Sequence, residues 1–180
     1  VCRRQRQMCI RDRGIWPANQ RSRRAGKDNR PGFTLMASDN FWETKSLEQM
    51  TTAEWESLCD GCGLCCLLKI EDEDSGEVFN TTVSCRLLDV TTCRCSDYEN
   101  RLAKAPMCIQ LTLDNLQGMN WLPETCAYKR IKSGQSLPAW HHLLSDDMNS
   151  VHDAGVSAKW FAQSEEYVHP DQLVEFIIES

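Results

Sequence analysis

Four cysteines and two glycines lie in the eight residues from Cys59 to Cys66, and this run limits the fold more than any other part of the sequence. A C-x-x-C turn can bring two sulfurs to the separation that one tetrahedral metal ion requires, with Zn–S bonds of about 2.3 Å. Gly61 and Gly63 let the backbone turn tightly, so that several sulfurs can converge on one point. The run therefore predicts a metal site around which a small domain is organised.

The spacing of the cysteines leaves two kinds of metal centre open. Cys59, Cys62 and Cys65 follow one another at x-x intervals, as in an iron–sulfur run whose fourth ligand comes from elsewhere in the chain. Zinc fingers more often use two separated pairs of ligands. The spacing favours an iron–sulfur cluster without excluding zinc. The adjacent Cys65 and Cys66 fit neither pattern simply, so ligation of different ions, or a bridge between ions, stays open for this pair.

Nine of the eleven cysteines lie beyond Met36. Because nine is an odd number, the cysteines cannot all pair in disulfides within the chain. No secretory signal is evident at the N-terminus. We therefore expect a reducing, cytoplasmic location and a zinc or iron cofactor, including an iron–sulfur cluster. The alternative for Cys108 and Cys126 is the role of a small buried hydrophobic residue. The candidate ligands are Cys59, Cys62, Cys65, Cys66, Cys85, Cys93, Cys95, Cys108 and Cys126.

Residues 1–35 differ from the rest of the chain, with ten Arg and Lys against two acidic residues. Such a segment cannot bury a core. It could serve as a basic arm for nucleic acid or membrane, but the stretch from Met8 to Arg13 resembles one reading frame of a transposon adapter used for sequencing libraries. We expect 1–35 to be a non-native or disordered basic leader and 36–180 to be the cysteine-rich metal-binding domain.

The charge and hydropathy of residues 36–180 exclude two classes of partner. This part has ten basic residues against 24 acidic ones, a formal charge of −14, which repels phosphate backbones. No apolar run approaches the length that spans a bilayer. We therefore expect a metal ion as partner, with no nucleic acid and no membrane.

Local signals predict short elements on both sides of the cysteine run. Thr51 and Glu54 have the spacing of a capping box, which predicts a short helix that ends before Cys59. Two β-prone stretches flank a turn at Asp74-Ser75-Gly76 and predict a β-hairpin. Further predictions are a helix beginning at Ser96 or Asp97, a helix over Glu124–Ser133, an extended or turn segment over Leu137–Trp140, a strand over Val156–Phe161, and a last helix from Pro170 with Leu173, Phe176 and Ile177 facing a core.

These elements together predict an α+β fold. We expect a small single cysteine-rich domain with short helices and a β-hairpin, organised around a metal centre. The large aromatic residues Trp55, Trp121, Trp140 and Trp160 are expected to fill its core.

The residues outside the cysteines leave the function open between three classes. The first is a metal-binding protein without catalysis, because no nucleophile–base pair is recognisable. The second is an enzyme that uses the centre for catalysis or electron transfer, for which the candidate polar residues are Asp97, Tyr98, Arg101 and His141. The third is a thiol redox sensor, although the strand and long helix that flank thioredoxin-like C-x-x-C sites are missing.

Four histidines lie in the C-terminal part of the chain, and neutral imidazole suits both zinc and iron. His141 follows Trp140 in a compact segment and is the best placed as a ligand. A surface or hydrogen-bonded role is nevertheless favoured for each of His141, His142, His152 and His169.

Short motifs along the chain carry a resemblance to one family. They are the run from Leu58 to Cys66, Cys85-Arg86, Thr92 to Cys95, Tyr98-Glu99, Cys108-Ile109, Trp121-Leu122-Pro123, Thr125 to Tyr128 and Leu137 to His141. From about Phe41 to the C-terminus, the chain is similar to the YcgN-like uncharacterised bacterial proteins of the CxxCxxCC zinc- or iron-chelating domain family. The resemblance implies chelation by the nine cysteines and supplies no catalytic residue.

Overall fold

The computed structural model describes the backbone of Gln5–Gln7 together with residues 40–178. Short helices and small sheets alternate along the chain, which confirms the α+β class; organisation around a metal centre stays a proposal. The helices are α1 (Phe41–Thr44), α2 (Thr52–Ser57), α3 (Arg101–Lys104), α4 (Leu113–Leu116), α5 (Ala127–Lys132), α6 (His142–Ser145) and α7 (Ser150–Asp153). The strands are β1 (Gln5–Gln7), β2 (Leu67–Asp72), β3 (Val78–Ser84), β4 (Leu88–Asp89), β5 (Arg94–Cys95) and β6 (Gln163–Ser164).

Single turns of 3-10 helix complete the fold. They occur at Leu47–Gln49, Leu64–Cys66, Ala158–Trp160, Glu165–Tyr167 and, over two turns, at Pro170–Phe176. The predicted leader, 1–35, lies outside the described residues except for β1, and its nature stays a prediction.

The larger sheet has the strand order β1-β2-β3-β6. Strands β2 and β3 pair in antiparallel fashion, as the hairpin prediction requires, and β6 lies parallel to β3. At the tip, the Asp72 carboxylate accepts hydrogen bonds from the backbone of Asp74 and Ser75 and closes the turn. Strands β4 and β5 form a separate two-stranded sheet.

The largest core cluster lies between the N-terminal helices and α5. Helix α2 ends at Leu58, which is fully buried, and α5 contributes Tyr128, whose hydroxyl donates to the Trp55 carbonyl at 2.8 Å. The predicted helices at α2 and α5 are confirmed, although α5 is shorter than the prediction. The cluster comprises Phe41, Leu47, Leu58, Leu116, Leu122, Ala127, Tyr128 and Leu137.

The N-cap of α2 offers a direct stability test. Thr51 Oγ1 accepts from the Glu54 amide at 3.3 Å, and the Glu54 carboxylate accepts from the Thr51 amide at 2.8 Å. We expect Thr51→Ala to lower the free energy of unfolding by about 1 kcal/mol, because an amide of the first turn loses its partner. Urea unfolding measures the change. The neighbouring exposed Thr52, replaced by alanine, is the control, and an equal loss in both variants would argue against the cap.

Three predictions in the second half of the chain are wrong in part. The predicted strand over Val156–Phe161 is a turn followed by 3-10 helix, because Ala158 is drawn inward by a hydrogen bond from its amide to the Cys62 carbonyl, 2.7 Å long. Trp160 is 65% exposed rather than in the core, with its indole N–H donating to the His152 carbonyl. The helix predicted from Ser96 or Asp97 begins only at Arg101.

The structure agrees with the extended or turn segment predicted over Leu137–Trp140 and with the position of the predicted last helix. Leu137–Trp140 is extended and then turns, and the final helix is of the 3-10 type. Leu173 is buried with Ile70 and Val83, and Phe176 and Ile177 pack on them.

Candidate metal centre

The loop from Cys59 to Cys66 connects α2 to β2 and is held at both ends by buried residues. Leu58 lies in the main core, whereas Leu67 packs with Ala158 in a second cluster. Inside the loop, the Cys66 carbonyl accepts from the Cys85 amide at 2.9 Å. The loop that carries the thiols is therefore fixed to distant parts of the chain.

Two turns of this loop need glycine. Gly61 has φ +75° and Gly63 has φ +74°, in the left-handed region that side chains disfavour. A Cβ at Gly61 would lie 2.8 Å from the Arg94 guanidinium, and one at Gly63 would lie 3.4 Å from the Cys93 sulfur. The glycines thus provide both the backbone angles and the close approach that were expected of them.

Asp60 supports the same turn. Its Oδ1 accepts from the Cys62 amide at 2.9 Å, and the residue is only 5% exposed. This is an Asx turn, which an Asp-Gly pair favours. Its Oδ2 has no hydrogen-bond partner among residues 40–178. We did not predict this role, although the Asp-Gly dipeptide was a usable signal.

The sulfurs of Cys65 and Cys66 lie 4.0 Å apart. Two sulfurs on one tetrahedral zinc ion stand about 3.8 Å apart, given Zn–S bonds of about 2.3 Å. All nine cysteines of residues 40–178 are free thiols. In chemistry and in spacing the pair therefore fits a thiolate-bound metal.

Ionisation within this pair is unequal. The hydrogen bond between the two sulfurs, aided by the ammonium of Lys69, lowers the pKa of Cys65 to about 7, although burial of the thiol acts in the opposite direction. The same interaction raises the pKa of Cys66. At neutral pH, Cys65 is thus the thiol most ready to act as a first ligand, since the thiolate is the metal-binding form.

Other thiols lie close enough to influence this pair. Burial of the sulfur raises the pKa of Cys59 to about 12, and repulsion from Cys65 adds a smaller contribution. Burial also raises the pKa of Cys62, and that of Cys126 to about 11. Cys126 is the N-cap residue of α5, and it acts electrostatically on Cys59. A metal ion would have to displace these protons, so binding should release them to solvent.

A second group of thiols lies beside the first. Burial raises the pKa of Cys85 and of Cys108, and the two thiols and Cys95 act on one another. Cys85 also acts on Cys66, and Cys65 acts on Cys108, which links the two groups.

Cys93 has different surroundings. It is 3% exposed and packs with Leu67 and Ala158, under the turn at Gly63. Burial raises the pKa of its thiol, and its main charged neighbours are Lys159, Arg94 and Asp89. Its surroundings are those of a core residue.

The thiols lie near one another but do not form a complete coordination shell. In residues 40–178 no three Cys, His, Asp or Glu side chains are already placed to hold one metal ion. Ligation by three or more of them would require side-chain rotation in the loop.

His141 and His142 hold the end of α2. Leu143 donates its amide to His141 Nδ1 at 3.2 Å, so the ring proton is on Nε2, which donates to the Leu58 carbonyl at 3.1 Å. His142 stacks on His141, with the two ring centres 4.5 Å apart, and its Nδ1 is buried without a hydrogen-bond partner among the described residues. With both ring nitrogens engaged, His141 acts as a fully buried hydrogen-bonded residue, the role that was favoured over ligation.

These buried histidines predict an acid-sensitive fold. Burial lowers the pKa of His142 from 6.5 to about 4, and it also lowers the pKa of His141 and of His152. The unfolded chain therefore binds more protons, so the free energy of unfolding should fall as pH drops from 6.5 towards 4.

Urea unfolding of the metal-free protein across this pH range tests the point. His142→Asn should flatten the pH dependence, because it removes the buried imidazole. Equal slopes in wild type and His142→Asn would contradict the assignment.

The polar residues proposed for catalysis are only partly beside the sulfurs. Tyr98 donates its hydroxyl to Glu56 and lies near Cys59, and Arg101 stacks on Tyr98 and acts electrostatically on the Cys108 thiol. Asp97 instead pairs with Lys104. Two clefts of the described residues, of about 430 and 450 Å³, are lined by other residues and include no cysteine.

Comparison with known proteins identifies the family. A UPF0260 protein of Agrobacterium fabrum is 54% identical over 139 residues, which cover 77% of this chain and 86% of the relative. The chain belongs to the UPF0260 family. Family members from Mesorhizobium japonicum, 50% identical over 77% of this chain and 95% of theirs, and from Pseudomonas putida, 49% identical over 80% and 97%, agree.

The family's cysteine-rich segment is also matched directly. The CxxCxxCC model, described as "Putative zinc- or iron-chelating domain", matches residues 58–127. The resemblance found from the motifs is confirmed. No solved structure matches the chain. Among the described residues, no helix has both the length and the apolar character needed to cross a membrane.

Proposed function

We propose that this chain binds zinc or iron, including iron in an iron–sulfur cluster, through cysteine thiolates centred on the loop from Cys59 to Cys66. The observation that carries the proposal is the 4.0 Å separation of the Cys65 and Cys66 sulfurs in a loop with four thiols. The match of residues 58–127 to the CxxCxxCC model supports it.

The two groups of neighbouring thiols suggest which cysteines share a metal centre. Cys59, Cys62, Cys65 and Cys66 are proposed as the main ligands, with Cys126 beside them. Cys85, Cys95 and Cys108 complete this centre or hold another one. For Cys93 we propose a packing role, because its surroundings are apolar.

The compartment follows from the same chemistry. Thiolates must stay reduced to bind the metal, which favours the cytoplasm. The acidic surface of residues 36–180, with its formal charge of −14, suits attraction of cations and opposes binding of nucleic acid.

Anaerobic purification followed by elemental analysis, acid-labile sulfide measurement and visible absorption tests the proposal. Zinc alone would give a colourless protein without sulfide, whereas an iron–sulfur cluster would give colour, iron and sulfide together. A folded protein that carries neither metal, and takes up neither on addition, would refute metal binding.

An enzyme that uses the centre is the second candidate function. The specific observation in its favour is the position of Tyr98 beside Cys59 and of Arg101 beside Cys108. Cys59 and Cys65 are exposed, so a reactant would reach these two thiols from the surface. Reversible one-electron reduction of the bound centre would support electron transfer. A redox-inert centre would argue against that role.

A further inference from the structure

Lys69 is a buried charged residue directly beneath the thiol loop. It is the third residue of β2 and only 6% exposed. Lysine is almost never buried to this degree unless its ammonium group is paired. Its position therefore needs an explanation beyond packing.

The ammonium group is held by the backbone that carries the thiols. Lys69 Nζ donates to the carbonyls of Leu67 at 2.5 Å, Cys65 at 3.3 Å and Leu64 at 3.4 Å. It also lies 4.5 Å from the centre of the Trp121 ring, a favourable cation–π contact. The Leu64 and Cys65 carbonyls belong to the 3-10 turn Leu64–Cys66 and the Leu67 carbonyl follows it; the Leu64 carbonyl also accepts from the Leu67 amide. Lys69 thus caps the turn that presents Cys65 and Cys66.

We propose that Lys69 is a positioning residue and a fixed positive counter-charge for an anionic metal–thiolate centre. The inference rests on the proposed metal binding. A divalent ion with four thiolates has a net charge of −2, which an adjacent ammonium stabilises. A divalent ion with two thiolates is neutral and gains nothing. The effect of Lys69 should therefore depend on three or more thiolates binding the same metal.

The test compares variants that keep or remove the charge. Lys69→Met and Lys69→Gln are neutral, Lys69→Arg keeps the charge, and Lys45→Met is the matched control because Lys45 pairs with Glu54 away from the thiols. Zinc dissociation constants are measured by chelator competition. Circular dichroism of the metal-free proteins reports folding, and cobalt absorption reports whether the same sulfurs bind.

We expect the two neutral variants to bind zinc about 10- to 100-fold more weakly, the range found when groups that support metal ligands are removed. Their metal-free fold should be unchanged, and Lys69→Arg and Lys45→Met should bind like wild type. Wild-type affinity in either folded neutral variant would overturn the inference, as would an equal loss in Lys69→Arg.

If both neutral variants fail to fold while Lys69→Arg folds, Lys69 serves the metal-free fold, and the inference is also overturned. A wild-type protein that binds no zinc or iron fails the proposed function itself. The two failures are therefore distinguishable.

Discussion

Replacement of Cys62 by serine is expected to abolish stoichiometric metal binding and to yield insoluble or protease-sensitive protein. The Cys62 backbone is held on both sides, by Asp60 at its amide and by Ala158 at its carbonyl, so another thiol cannot readily take its place. A serine hydroxyl is a poor substitute for thiolate on zinc or iron. Binding at structural zinc sites contributes about 10–16 kcal/mol to folding in small peptides, so losing a ligand should also cost stability.

Metal per chain by elemental analysis and the rate of limited proteolysis measure the effect. Cys93→Ala is the matched control: it removes a buried thiol with apolar neighbours and should keep the metal while losing some packing. Full metal content in soluble Cys62→Ser would remove Cys62 from the proposed ligands.

His141→Ala should be the most destabilising change outside the cysteines, lowering the free energy of unfolding by about 3–5 kcal/mol. His141 is fully buried, and both ring nitrogens are hydrogen-bonded. Alanine leaves a cavity and deprives the Leu58 carbonyl of its partner, just before the first thiol of the loop.

Urea unfolding with and without bound metal measures this loss. His169→Ala is the control, because its side chain is 66% exposed and its loss removes only the cap on the Asp171 amide, which should cost about 1 kcal/mol. A His141→Ala protein as stable as wild type would show that this histidine does not hold the loop.

Local signals predicted the elements next to the thiol loop. The capping box at Thr51 and the turn around Ser75 act within a few residues, so α2 and the hairpin could be read from the sequence. The strand predicted around Ala158 fails because its amide bonds to Cys62, almost a hundred residues earlier. No local pattern carries that information.

The same distinction applies to the candidate site. The thiol loop and its glycines were predicted because metal ligation and tight turns have sequence signatures. The role of Lys69 was not predicted, and the hydrogen-bonded role favoured for His141 came without its partner, because each depends on a backbone carbonyl that the fold brings to the side chain. The apolar surroundings of Cys93 likewise emerge only from tertiary packing.

The anchoring of the thiol loop has a practical consequence for dissecting the protein. The segment matched by the family model, residues 58–127, contains every proposed ligand but excludes Phe41 and Leu137, which pack in the cluster that buries Leu58. It also excludes Ala158, which anchors the Cys62 carbonyl. An excised fragment with these boundaries would keep all the proposed ligands but lose the residues that pack against the thiol loop. The smallest unit to express therefore runs from α1 through the final 3-10 helix.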